Sequence, residues 1–225
     1  MPRVLKEYNE RKNEFLNAAQ ELFYAKGYEQ TSINAILEMV GVAKGTFYHY
    51  FKSKEALLDA VIERISGRAV AEMKAIADNP EMDAIAKLNQ VFQSSGSWKA
   101  AHMAIPIPIR RALYNHKNIM MLRRMTLSTA RIAGPLIAKI IQQGKRERVF
   151  DTEFPEELGE LLYMQFANWR EKLADLLLGI DKHPEYRAKI LRYVDIYNDT
   201  IERFLGAPKG SIMISDRKAL ENFLE

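Results

Sequence analysis

Residues 47–51 read Phe-Tyr-His-Tyr-Phe, four aromatic rings and an imidazole in five consecutive positions. Lys44 precedes them, and Lys52 and Lys54 follow. Phenol hydroxyls and imidazole nitrogens exchange hydrogen bonds, and ammonium groups pair with phosphates. Together these groups suit recognition of a polyanion better than bond-breaking chemistry. From Ala43 to Lys54 there are three lysines and no acid, although residues 1–60 balance eight basic against eight acidic side chains. Positive charge is therefore local, which says more than the net charge of +4. A local basic patch is what phosphate binding needs, although a solvated lysine face has the same composition.

Side chains that carry common catalytic chemistry are missing or wrongly spaced. The absence of cysteine excludes disulfides, thiol catalysis and cysteine-based zinc sites. None of His49, His102, His116 and His183 has a glutamate three residues before it, so the Glu-x-x-His pattern of di-metal bundles is absent. There is no HExxH, no glycine-rich phosphate loop and no nucleophile elbow. The expectation is a protein with no catalytic residues, no metal ligands and no cofactor. Its 225 residues, 48% apolar and 28% charged, fit a globular chain of one large domain or a small one joined to a larger one. No apolar run approaches the roughly 18 residues of a membrane span. The charged start lacks the apolar segment of a secretory signal. A cytoplasmic protein without membrane contact is expected.

The elements that must position the aromatic run follow from apolar spacing. In "RKNEFLNAAQELFYAKG", Phe15, Ala18, Ala19, Leu22 and Phe23 form one helical stripe, and Gly27 is placed to end it. In "TSINAILEMVG", Thr31 or Ser32 can cap a helix whose stripe is Ile33, Ile36, Leu37 and Val40, closed by Gly41. Two short helices joined through a glycine and packed on a longer one describe a helix-turn-helix. On a helical wheel Phe47 and Phe51 fall within about 40° of each other and face inward. Gly45 and His49 lie opposite, flanked by Thr46 and Tyr48. A recognition helix sets its N-terminal residues against base edges in the major groove. Gly45 lets the backbone come close. Lys44 and the first free N–H groups favour phosphate. Tyr48 offers a hydroxyl to phosphate and a ring to a thymine methyl, and Lys54 is a second backbone clamp.

The run "TSINAILEMVGVAKGTFYHYFKSKEALLDAVI" resembles the DNA-binding signature of the tetracycline-repressor (TetR) family of bacterial transcription regulators, over roughly residues 10–62. The resemblance implies that Thr31 and Ser32 contact phosphate, that Lys44, Gly45, Thr46, Tyr48, His49 and Tyr50 face the groove or its walls, and that Lys54 holds phosphate. It also favours a homodimer, as does DNA geometry, in which two recognition helices about 34 Å apart read palindromic double-stranded operator DNA. Ala43 stands where the family commonly has serine, so a helix cap is missing, and Val40 stands where alanine is usual.

The whole chain is expected to be all-α. A three-helix DNA-binding domain occupies residues 1–52, and a connecting helix 53–80 carries Leu57, Leu58, Val61, Ile62 and Ile65 inward. Residues 81–205 form a larger helical bundle for effector binding and dimerisation, broken near Pro106 and Pro108, with a kink at Gly134-Pro135 and a connector over 144–152. Residues 206–225 are either a tail or a short helix capped by Ser215. Trp98, His102, Met103, Tyr114, Met121, Phe166 and Trp169 are candidates for an adaptable wall around a small hydrophobic effector, although such residues at helical spacing also build ordinary core. Leu158, Leu162, Trp169 and Leu173, with Val194, Tyr197 and Ile201, form two apolar faces. These either bury each other or meet a two-fold copy in a four-helix interface. The expected function is a ligand-responsive regulator, a repressor released from DNA by its effector. The alternative is an architectural, ligand-independent DNA-binding dimer.

Overall fold

The apolar stripes fold as helices throughout the residues described by the computed structural model, 3–96 and 119–224, and among these there is no strand. In chain order the helices are α1 Arg3–Lys26, α2 Ile33–Val40, α3 Lys44–Tyr50, α4 Lys54–Asp78, α5 Ala84–Gly96, α6 Ile119–Arg146, α7 Pro155–Gly179, α8 Tyr186–Leu205 and α9 Arg217–Leu224. They divide into two units: residues 3–67 with 119–125, and residues 68–96 with 126–224. The first unit thus takes in the opening half of the helix expected as a connector. The C-terminal residues join the second unit rather than standing apart.

In the first unit Phe15, Phe23, Ile36, Phe47, Phe51, Leu57, Leu58 and Val61 close one core. The Phe15 ring meets Phe47 and Phe51 edge-on at centroid distances of 5.7 and 6.1 Å, an arrangement favoured by the ring quadrupoles. Ser32 is the cap of α2, its Oγ accepting from the Ala35 N–H at 3.1 Å. Gly41 ends α2 at φ 74°, donating to the Leu37 carbonyl at 2.8 Å; the left-handed region strains any residue with a Cβ. At the start of α3, Ala43 makes no side-chain cap bond, as its methyl side chain dictates. Arg64 ties α4 to α1 by donating to the Leu16 carbonyl at 3.0 Å, to Asn17 Oδ1 at 2.8 Å and to Gln20 Oε1. Met121 is buried in this same core, and Arg124 pairs with Asp59 at 2.8 Å.

The second unit packs α5, the later parts of α4 and α6, and α7, α8 and α9 around Leu88, Phe92, Ile137, Ile140, Leu162, Trp169, Ile190, Val194 and Leu205. Pro135 sits inside α6 without ending it. Here α6 and α7 approach through glycines. A Cβ at Gly159 would lie against the Gly134 carbonyl and 2.8 Å from the Ala138 nitrogen. Those are backbone atoms, which cannot turn aside. Gly159→Ala is therefore expected to destabilise the unit by about 1–3 kcal/mol, the usual cost of overpacking. Gly67→Ala, whose Cβ meets nothing within 4 Å, should be neutral or gain up to about 1 kcal/mol from helix propensity. Thermal unfolding of the two variants checks the contrast.

The expected connector over 144–152 begins later than its glycine suggests. α6 continues to Arg146, and the Phe150 ring folds back over Gly144, in the space a Cβ would fill. The C-terminal segment also differs from its expectation. Residues 211–214 run extended and are held by side chains. Asn89 donates to the Ser211 carbonyl and accepts from the Met213 N–H, both at 2.8 Å. Gln93 donates to the Met213 carbonyl at 3.1 Å. Glu202 accepts from the Ile212 N–H at 3.1 Å, and Asn198 from the Ile214 N–H at 3.0 Å. Ile212 and Ile214 point into the core while Met213 points out, the alternation of a strand. The cap of α9 is Asp216, accepting from the Ala219 N–H at 3.0 Å. Ser215 is buried instead.

Candidate nucleic-acid interface

α3 divides its residues as the wheel requires. Phe47 and Phe51 are buried, while Lys44, Gly45, Tyr48 and His49 are exposed and Thr46 and Tyr50 are half-buried. Tyr48 is 49% exposed although it is a large aromatic residue. It leans edge-on against Phe47 at 5.4 Å, which leaves its other side free to meet a ligand. Gly45 has an ordinary helical φ, and a Cβ built there meets nothing within 4 Å. No packing within the described residues calls for glycine at this place.

Three expected contacts fall elsewhere. Thr31 is 1% exposed, and its hydroxyl donates to the Gly27 carbonyl at 2.8 Å. It pins the turn between α1 and α2 and is not available to a phosphate, whereas its neighbour Ser32 is exposed. Lys54 turns back on the same turn. Its Nζ donates to the carbonyls of Tyr28 at 2.9 Å and Thr31 at 3.0 Å, and stands 4.2 Å over the Tyr28 ring. Burial, followed by the Glu55 carboxylate, pushes the Tyr28 phenol up to about 12, so it stays protonated and neutral at ordinary pH. Lys54 therefore braces the helix-turn-helix from below, with its ammonium already engaged. Tyr50 is the third. Its ring stacks on Tyr8 of α1 at 4.6 Å with a 28° interplanar angle and leans on Phe15 at 5.6 Å.

Tyr8 was not among the sequence candidates. The apolar stripe read from the sequence starts at Phe15, whereas α1 begins at Arg3. One signal was present, because Tyr8 precedes Phe15 by seven residues, two turns along one helical face.

Expected effector and dimer residues also find their places. Trp98, His102, Met103 and Tyr114 lie outside the described residues. Met121 belongs to the core of the first unit, so it lines no effector wall in the second. Phe166 packs on Phe92 at 5.1 Å and Trp169 on Tyr197 at 5.3 Å, within the second core. Leu162, Trp169, Leu173, Val194 and Ile201 are buried there, and Leu158 and Tyr197 pack against the same cluster. The two apolar faces thus bury each other within one chain and are not left for a partner. Exposed apolar side chains on these helices are Leu161, Ile196 and Phe204.

An exposed short helix held on an aromatic core, followed by a larger helical unit, defines a helix-turn-helix protein with a C-terminal helical domain. Residues 15–61 match the model of the bacterial regulatory proteins of the tetR family. The transcriptional regulator UidR of Escherichia coli strain K12 is 42% identical over 59 residues, 26% of this chain and 30% of that protein. The chain's match covers 25% to 30% of the first curated relatives. Among solved structures, a TetR-family regulator from Pectobacterium atrosepticum shares the fold with a TM-score of 0.60 and 21% identity, over 93% of this chain and all of that one. SmeT of Stenotrophomonas maltophilia, in complex with triclosan, does so at 0.61 and 17%, over 91% and 95%. Residues 15–61 thus carry the tetR-type DNA-binding region, and the chain as a whole shares the fold of those solved regulators.

Proposed function

We propose that this protein is a transcription regulator that binds palindromic DNA as a homodimer and is released from it by a small hydrophobic effector. The observation that carries the DNA half is the division of α3. Its phenylalanines build the core, while Lys44, Gly45, Thr46, Tyr48 and His49 are left at or near the surface. Lys44 pairs with phosphate, Tyr48 offers phosphate its hydroxyl, and the first turn of α3 approaches base edges in the major groove. Selection of DNA fragments by the purified protein tests this reading.

Reading two half-sites needs two copies. Leu161 on α7 and Ile196 and Phe204 on α8 are large apolar side chains left exposed. A groove of about 490 Å³ along α8 is lined by Glu185, Ala188, Lys189, Arg192, Tyr193 and Ile196. A two-fold copy of this helix pair covers such a surface as a four-helix interface. Ile196→Lys with Phe204→Lys places charges in that interface. The variant is expected to sediment as a folded monomer, its melting temperature lowered by the lost association, and to lose preference for palindromes. A variant that remains dimeric contradicts this surface.

The effector half rests on the likeness to SmeT, whose solved complex holds triclosan, and on the aromatic content of the second unit. Phe166 and Trp169 meet such a molecule only where Phe92 and Tyr197 give way. α4 and α6 each contribute side chains to both cores: Leu57 and Met73 from the one, Met121 and Ile137 from the other. A shift in either helix therefore reaches the reader. A coupling of about 1–3 kcal/mol changes DNA affinity five- to 150-fold. DNA affinity measured with and without compounds that bind the protein tests the switch, and affinity unchanged by every one of them contradicts it.

A further inference from the structure

We propose that Tyr8, braced by Tyr50, is a positioning residue for base recognition, holding the His49 imidazole on the reading face of α3. The inference rests on the DNA-binding reading above and extends it to a residue seven positions before the family-model match begins. Four rings form a continuous path from core to surface. Phe15 is fully buried and tilted against Tyr50 at 5.6 Å. Tyr50 stacks on Tyr8 at 4.6 Å. Tyr8 meets His49 edge-on at 6.0 Å, and His49 meets Tyr50 edge-on at 5.2 Å.

An exposed histidine on a short helix ordinarily samples several rotamers. Here two aromatic neighbours from different helices limit the imidazole, one of them Tyr50 on its own helix and the other Tyr8 on α1. A preorganised donor or acceptor discriminates between base edges better than a mobile one, because its ordering cost is already met before binding. Tyr8 acts through His49, with Tyr50 as the ring it stacks on, and need not touch DNA itself. Its phenol hydroxyl is unnecessary to this role, while its ring is essential.

The test compares wild type, Tyr8→Ala, Tyr8→Phe, His49→Ala and Lys44→Ala in selection from a randomised DNA library. Melting temperatures are measured alongside. Tyr8→Ala is expected to lose discrimination about fivefold or more at the same base positions as His49→Ala, within the range of single-base effects. A variant carrying both Tyr8→Ala and His49→Ala should lose no more than His49→Ala alone, and Tyr8→Phe should behave as wild type. Lys44→Ala should weaken binding to all sequences alike. The ring-proton resonances of the protein's four histidines, recorded without DNA, supply a separate readout. Those of His49 should shift in Tyr8→Ala as the neighbouring ring current disappears. Unshifted resonances overturn the stack even where DNA reading stands. Shifted resonances with base preference intact, or with a uniform loss like that of Lys44→Ala, overturn the positioning role. If wild type selects no sequence, the DNA reading fails and this role fails with it.

Discussion

Replacing Ile212 and Ile214 together with alanine is expected to cost about 4 kcal/mol or more, enough to unfold the second unit at moderate temperature. A buried isoleucine cut to alanine costs about 2–5 kcal/mol, and whole domains are stable by only about 5–15 kcal/mol. Both side chains are 1% exposed. They are held in register by Asn89, Asn198 and Glu202, which take the backbone groups that a sheet partner would otherwise take. The control lies between them. Met213 faces outward at 48% exposure, so Met213→Ala should change stability by no more than about 0.5 kcal/mol. Asn89→Leu should fall between these results, at about 1–3 kcal/mol, because it removes the partner of the Met213 N–H and the Ser211 carbonyl, which are only partly buried. Thermal unfolding of the three variants reads the alternation directly. Equal effects from Ile212→Ala/Ile214→Ala and Met213→Ala would mean that the segment does not dock as an extended strap.

The second large effect separates stability from function at one atom. Glycine in an exposed helical position costs about 0.5–1 kcal/mol relative to alanine, and a Cβ on Gly45 has open space around it. Gly45→Ala is therefore expected to melt at or above the wild-type temperature. On the proposed reading, the same methyl stands where α3 comes close to DNA. Affinity should fall about tenfold, equivalent to roughly 1.4 kcal/mol, and Gly45→Leu should lose much more while still folding. The result to set against this is a Gly45→Leu protein that binds the same fragments as tightly as wild type. That would place another surface on DNA.

The helix-turn-helix was legible because its signals are local. Phe15, Ala18, Ala19, Leu22 and Phe23 repeat at helical spacing, Gly41 closes α2, and Phe47 and Phe51 share a face; each of these is decided within a few residues. Thr31 and Lys54 were harder, since a hydroxyl or ammonium at the edge of a motif serves a phosphate or a carbonyl equally well. Only the position of the Tyr28–Thr31 turn decides between them. Apolar periodicity likewise found both faces of α7 and α8 but could not say whether they meet each other or a second copy. The structure packs their buried residues into one core within the chain, and the exposed Leu161, Ile196 and Phe204 are too few to stand out. The strap was illegible for another reason. Its partners Asn89 and Gln93 lie more than a hundred residues away in sequence, and an Ile-Met-Ile run names no groove.

The measurement that bears most directly on the central claim is selection of genomic DNA fragments by the purified protein at about 0.15 M salt, with Tyr48→Ala in parallel. Tyr48 is chosen because its exposed ring lies on the proposed reading face and its loss leaves the buried Phe47 and Phe51 in place. Wild type is expected to enrich a short palindrome with half-sites about one helical turn apart, and Tyr48→Ala is not. No enrichment by wild type, or the same sequence enriched by both proteins, contradicts the assignment of α3 as the reading helix.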